Sequence, residues 1–231
     1  MTAEANVTVL IVDDHHLIAQ GIAFALRAEG VDAVVSTELH ANGILGDALR
    51  TRPQVVLLDL QFEGPMGAVG DGRDLIGPLT ELGAHVLVLT GVTDRPTLGD
   101  CLERGATGVM AKSEPFETLV DKVLVVARGG AVLSEQERCA LLAEHRHHVA
   151  HERDRLAPFS ALTPREADVL VRLMAGLQAD RIAEDCYVSL ATIRSQIRSI
   201  LQKLSVNSQL AAVAVAREAG WQPRVTVGVT T

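Results

Sequence analysis

The chain has 231 residues, 21 basic against 29 acidic side chains, and 48% hydrophobic residues, enough for two modest domains with real cores. No apolar run reaches the roughly 20 residues that span a bilayer, the N-terminus lacks the charged, apolar and small-residue succession of a signal peptide, and Cys101, Cys139 and Cys186 are scattered, which reads as reduced thiols in a cytoplasmic protein. Residues 1–128 hold 9 Lys+Arg and 18 Asp+Glu, residues 129–160 hold 4 and 5, and residues 161–231 hold 8 and 6, so only the rear suits an anionic polymer.

In chain order, Val7–Val12 is an apolar, β-branched run that reads as a buried parallel strand and runs into Asp13-Asp14. Leu17–Ala28 places Leu17, Ile18, Ile22, Ala25 and Leu26 at helical spacing until Gly30 stops it. Val31–Val35 is a weaker strand, and Leu39–Leu49 a helix. Val55–Leu58 is a second buried strand ending at Asp59; Leu75–Leu82 is a helix; Val86–Leu89 is a strand ending at Thr90. Thr97–Arg104 is a helix, Gly108–Ala111 a short strand ending at Lys112, and Pro115–Ala127 a helix closed by Gly129-Gly130. Five alternations of strand and helix predict a doubly wound parallel sheet. In such sheets the carboxyl ends of the strands form the ligand crevice. Two acids, a third acid, a hydroxyl and an ammonium would therefore meet at one edge.

Like charges brought together raise one another's pKa. A hard divalent cation, Mg²⁺, relieves that, because it takes carboxylates together with phosphate oxygens. Asp59, alone on its strand end, suits a nucleophile toward a phosphodonor, and Lys112 suits a point charge on the phosphoryl group. The chain has only three lysines, Lys112, Lys122 and Lys203, against eighteen arginines, so a lysine at a strand end points to a need for an ammonium there.

These residues, in this order, resemble the receiver domain of bacterial response regulators over roughly residues 6–128. Asp13-Asp14-His15-His16-Leu17 with Gly21-Ile22, and Lys112-Ser113-Glu114-Pro115-Phe116-Glu117-Thr118-Leu119, are similar to the NarL/FixJ branch. The resemblance implies a flavodoxin-like fold, Asp59 as phosphoacceptor, Asp14 and Asp59 as direct Mg²⁺ ligands, Asp13 acting through water, the Gln61 carbonyl as a further ligand, and Thr90 as the switch hydroxyl. Two features depart from the family. The path from Leu60 to Gly72 is about five residues longer by alignment and rich in glycine, a tolerable length for a loop. Val109 stands where the family usually carries its switch aromatic.

Ser134–Leu156 reads as a charged helix, with Ser134 as N-cap and Glu137 at capping-box spacing. Its His147 and His151 share a face that suits a metal or simply water. Pro158 and Ser160 end it. Thr163-Pro164-Arg165-Glu166 opens a helix that Gly176 closes. A second helix holds Ile182 and Ala183. Ser189 caps a third, which buries Ile193, Ile197, Ile200, Leu201 and Leu204 and shows Arg194, Ser195, Arg198 and Gln202 on its other face. Two arginines one turn apart can reach guanine edges in a major groove. Asn207-Ser208 opens a fourth helix, with Leu210, Val213 and Ala214 apolar, that runs to Gly220.

Leu162 to about Ala219 resembles the LuxR-type helix-turn-helix, through Leu162-Thr163-Pro164-Arg165-Glu166, Ile182-Ala183-Glu184, Val188-Ser189, Thr192-Ile193-Arg194 and Ile200-Leu201-Gln202-Lys203-Leu204. It implies that Glu166 ties helices together, that Arg194, Ser195 and Arg198 contact bases, and that Thr192 and Lys203 lie nearer phosphates. Asp180 and Ala191 stand where the family commonly carries basic residues, so a monomer should bind weakly and pair on a palindrome.

The reading is thus a receiver over 1–128, a helical linker over 129–160, a four-helix DNA-binding domain over 161–220 and a tail over 221–231. Such a chain is a DNA-binding transcriptional response regulator, phosphorylated at Asp59 with Mg²⁺ by a sensor histidine kinase and dimeric on double-stranded DNA. The resemblance also implies that the unphosphorylated receiver obstructs the recognition helix. It is no enzyme beyond its own aspartyl phosphorylation and dephosphorylation, since the related phosphotransferases carry a second acid where Gln61 stands. A regulator of the same build whose receiver answers to a ligand or a protein partner is the alternative.

Overall fold

The computed structural model describes residues 7–63, 69–91 and 93–223, and the chain divides into two compact units between His147 and His148. In the front unit, β1 (Thr8–Val12), α1 (His16–Ala28), β2 (Asp32–Val35), α2 (Ala41–Thr51) and β3 (Val55–Asp59) are followed by two short strands, β4 (Gln61–Glu63) and β5 (Val69–Asp71). Then come α3 (Arg73–Glu81), β6 (His85–Thr90), α4 (Arg95–Glu103), β7 (Gly108–Ala111) and α5 (Phe116–Ala127). The strands expected from the apolar runs form one parallel five-stranded sheet in the order β2-β1-β3-β6-β7. The strand order reverses between β1 and β3, the position at which doubly wound sheets bind ligands.

The sheet is buried on both faces because successive residues of a strand point to opposite sides. Leu10, Val12, Val56, Leu58, Val86 and Val88 face α2, α3 and α4, whereas Val9, Ile11, Val55, Leu57, Leu87 and Leu89 face α1 and α5. That double burial is why these strands read as continuous apolar runs rather than alternating ones. In α1 the buried side chains are Ala19, Ile22, Ala23 and Leu26; Leu17, expected on the apolar face, is 92% exposed, and Phe24, seven residues on, is exposed with it.

The long path after Asp59 is partly structured. β4 and β5 pair antiparallel, with Gln61 opposite Asp71 and Glu63 opposite Val69. Its central residues, 64–68, lie outside the described residues.

The segment expected to be a linker is divided. Helix α6 (Glu135–Leu156) starts at the Ser134 cap, whose Oγ accepts from the Glu137 N–H at 3.1 Å. Its first half packs as part of the front unit: Leu141 is 1% exposed within the cluster of α2, α3 and α4, and Leu133 and Leu142 lie against it. Gly99 of α4 makes the approach possible, since a Cβ there would meet the Leu141 carbonyl at 2.3 Å. His145 Nδ1 lies 3.1 Å from the Pro96 carbonyl, and Arg95 binds Glu137 and Glu144.

In the rear unit a short 3-10 turn (Ala157–Ala161) precedes α7 (Pro164–Met174), α8 (Ala179–Asp185), α9 (Leu190–Lys203) and α10 (Gln209–Glu218). Their apolar faces share one core, in which Phe159 stacks on Trp221 with ring centroids 5.3 Å apart. Leu210, expected among the apolar residues of the last helix, is 80% exposed. Among the described residues no helix is long and apolar enough to cross a membrane.

Candidate functional site

Four strand ends converge as their sequence positions require. Asp13 follows β1, Asp59 ends β3, Thr90 ends β6 and Lys112 follows β7. Asp13, Asp59 and Thr90 are each buried to within 3%. The Lys112 ammonium joins two of them, lying 2.7 Å from Asp59 Oδ2 and 2.9 Å from Asp13 Oδ2. The loop carrying it is held by the Lys112 N–H on the Thr90 carbonyl (2.8 Å) and by Glu114, which accepts from the Ala111 N–H (3.1 Å) and pairs with Lys122.

Burial pushes the Asp59 carboxyl up, and the Lys112 ammonium works against that without cancelling it. Burial works to lower Lys112, but its hydrogen bonds to Asp59 and Asp13 outweigh it and hold its pKa above the ordinary value. One ammonium thus stands against two buried acids, with Asp14 beside them. Asp13, Asp14, His15 and Asp59 each offer a ligand atom, all within 4.8 Å of one another. This oxygen-rich set with an uncompensated negative charge fits a hard divalent cation.

The sequence reading missed two neighbours of the site. His15 Nδ1 lies 2.7 Å from Asp14 Oδ1 and 3.1 Å from Asp13 Oδ1. A histidine directly after the acid pair was the available signal. The other is Gly72. Its N–H donates to the Leu60 carbonyl (2.9 Å), and a Cβ there would lie 2.3 Å from the Asp59 carbonyl oxygen. The hairpin therefore closes directly against the backbone of Asp59. Gln61 is exposed at its start, and its N–H donates to Asp59 Oδ1 at 3.3 Å. Val109 is buried in the core.

In the rear unit α8 and α9 are joined by a turn in which Tyr187 takes a left-handed conformation (φ 55°). Ser189 caps α9, its Oγ accepting from the Thr192 N–H at 3.1 Å and lying 2.8 Å from the Thr192 hydroxyl. Arg194, Ser195 and Arg198 are all exposed, while Ile193, Ile197 and Ile200 are buried behind them. Among the described residues neither arginine has a hydrogen bond or ion pair. Lys203, expected nearer phosphates, gives its ammonium to Glu166 Oε2 at 2.6 Å. Ser199 donates to Glu166 Oε1 (2.6 Å), and the Thr163 N–H to Glu166 Oε2 (2.7 Å). Glu166 thus ties α7 to α9. Burial alone would raise its pKa, but these donors lower it to about 2.

A doubly wound unit with an aspartate, hydroxyl and lysine at its crevice, followed by a helix-turn-helix unit with a basic outer face, defines a two-domain regulator class. Residues 9–124 match the family described as response regulator receiver domain, and residues 160–216 match the bacterial regulatory proteins of the luxR family. The nitrate/nitrite response regulator protein homolog of Haemophilus influenzae is 30% identical over 90% of this chain and 94% of its own length. NarP, the nitrate/nitrite response regulator of Escherichia coli K12, is 32% identical over 88% and 91%. In fold, a LuxR-family two-component response regulator from Aurantimonas sp. SI85-9A1 superposes with a TM-score of 0.50 at 22% identity, covering 62% of this chain and 99% of that one. The chain belongs to the NarL/FixJ-type response regulators, two-component transcription factors with a LuxR-type DNA-binding domain.

Proposed function

We propose that Asp59 is the phosphoacceptor of a cytoplasmic transcription regulator, that a sensor histidine kinase supplies the phosphoryl group, and that the phosphorylated chain acts as a homodimer on double-stranded DNA. The observation that carries this is the Lys112 ammonium, bound at once to Asp59 and Asp13 at the carboxyl edge of the sheet. An Asp59 carboxylate oxygen attacks phosphorus, and the bond from phosphorus to the donor nitrogen breaks, leaving an acyl phosphate on Asp59 and a free imidazole on the donor. Lys112 holds a phosphoryl oxygen, and the Thr90 hydroxyl takes another as the switch. Mg²⁺, held by Asp14, Asp59 and the Gln61 carbonyl with Asp13 acting through water, would neutralise the phosphoryl charge. The chain's catalysis is confined to making and losing its own aspartyl phosphate. On DNA, Arg194, Ser195 and Arg198 read base edges, while Thr192 lies nearer the phosphates.

The test is to incubate the protein with Mg²⁺ and a small acyl phosphate, then measure mass and DNA affinity together. One base-labile phosphoryl group is expected on the wild type and none on Asp59→Asn, whose circular dichroism is unchanged. Equal incorporation in both moves the acceptor elsewhere. The buried Val109 favours a second reading, a receiver driven by a ligand or protein partner, because a small apolar side chain cannot swing as a switch ring does. Equal DNA affinity with and without the phosphoryl group would select it.

A further inference from the structure

The DNA face as described is short of cations for gripping a backbone: Asp180 and Ala191 are acidic and apolar, and Lys203 is engaged with Glu166. Within the rear unit the structure offers another cation. Arg165 occupies the first turn of α7, between the Thr163 cap and Glu166, and is exposed. It has no hydrogen bond or ion pair among the described residues. Asp168, three residues on and suitably spaced to pair with it, instead binds Arg172 Nε at 3.0 Å. Arg172 also lies 3.9 Å from Asp185. A cation at a helix N-terminus faces the positive end of the helix dipole, the unfavourable end. Arg165 is therefore an unpaired charge in a position that an anion would stabilise.

Its neighbours belong to the recognition helix. Arg165 lines a groove of about 420 Å³ together with Pro164 and Asp168 of α7, Val188 of the turn, and Thr192 and Gln196 of α9. Thr192 and Gln196 flank the outward face carrying Arg194, Ser195 and Arg198, so a backbone running beside the bases read by that face passes this groove. Exposed backbone N–H groups at helix starts commonly join such phosphate contacts. Resting on the DNA-binding reading above, we infer that Arg165 is a phosphate-contacting residue of the DNA interface. With the first turns of α7 and α9 it grips the backbone at the edge of the major groove.

The experiment uses the full chain and two duplexes: the tightest one the wild type recovers from a randomised pool, and a scrambled duplex of equal length. Anisotropy titrations run from about 50 to 200 mM salt, the range over which counterion release is read. Arg165→Ala should weaken both duplexes by the same factor, roughly tenfold for each protomer bound, the size of one charge-assisted hydrogen bond. Its plot of log affinity against log salt should be shallower by about 0.9 for each protomer bound, one phosphate's worth apiece. Arg165→Lys should recover most of the loss, because an ammonium also binds phosphate as a point charge. Arg198→Ala, run alongside, should instead weaken the selected duplex more than the scrambled one. Unchanged affinity and slope for Arg165→Ala beside a selective loss for Arg198→Ala overturns the inference and leaves the reading of α9 standing. A loss for Arg165→Ala on the selected duplex alone also overturns it, since that is base reading. Enrichment of no duplex by the wild type, phosphorylated or not, sinks the DNA reading and the inference with it.

Discussion

Glu166 is buried, yet its carboxylate is stabilised by donors from two places: Thr163, the cap of α7, and Ser199 and Lys203 in α9. Its pKa falls from 4.5 to about 2. A depressed carboxyl contributes stability that is fully present above its unfolded pKa and is lost as pH falls through the folded one. The rear unit should therefore weaken between pH 4.5 and about 2, by roughly 3 kcal/mol. Trp221 is the only tryptophan and sits in that core, so urea unfolding followed by its fluorescence reports this unit alone. Glu166→Gln should lower stability at pH 7 and flatten the dependence across that window. A variant that keeps the wild-type slope would assign it to other carboxylates. The sequence indicated this residue through its place at a helix start and its family position, but Ser199 and Lys203 lie 33 and 37 residues away, beyond the reach of local pattern.

At the scale of elements, α6 illustrates what local pattern misses. Its sequence is charged on every side, which reads as a solvated linker, yet Leu141 is buried in the core of the front unit. The contact depends on Gly99, because the Leu141 carbonyl and the His145 Cβ would lie 2.3 Å and 2.6 Å from any Cβ added there. Backbone atoms have nowhere to yield, so Gly99→Ala should force α6 away from α4 and cost about 1–3 kcal/mol. Thermal unfolding should show a lower midpoint by far-ultraviolet circular dichroism with the Trp221 fluorescence transition unmoved. An unchanged midpoint would mean that the two helices separate freely. The strands were legible for the opposite reason: double-sided burial writes a continuous apolar run into each one. The β4–β5 hairpin was not, because a glycine-rich path pairs through backbone groups and leaves no side-chain period to read.

At the scale of the whole molecule, the division between His147 and His148 falls inside α6, whereas the glycine pair at 129–130 suggested an earlier boundary. Residues 129–147 supply Leu141, Leu133 and Leu142 to one face of the front core, and Val132 to the other. A fragment ending at residue 147 should be more stable than one ending at 128 by at least the roughly 2–5 kcal/mol of one buried leucine. Calorimetric midpoints of the two fragments check this. Equal midpoints would return the segment to the status of a linker.

The sequence by itself determined the order of the five parallel strands and their helices, the placement of Asp13, Asp59, Thr90 and Lys112 at strand ends, and the polar outer face of α9. Each follows from short-range rules, in which residue period selects the element and an element's end selects the edge. Tertiary structure alone decided that Lys112 joins Asp59 to Asp13, that Gly72 lies against the Asp59 carbonyl, and that Leu141 belongs to the core. It also decided that Lys203 serves Glu166 while Arg165 is left without an ion pair among the described residues. These outcomes turn on which side chains meet across tens of residues, and a charged or glycine residue carries no mark in sequence of the partner it will find.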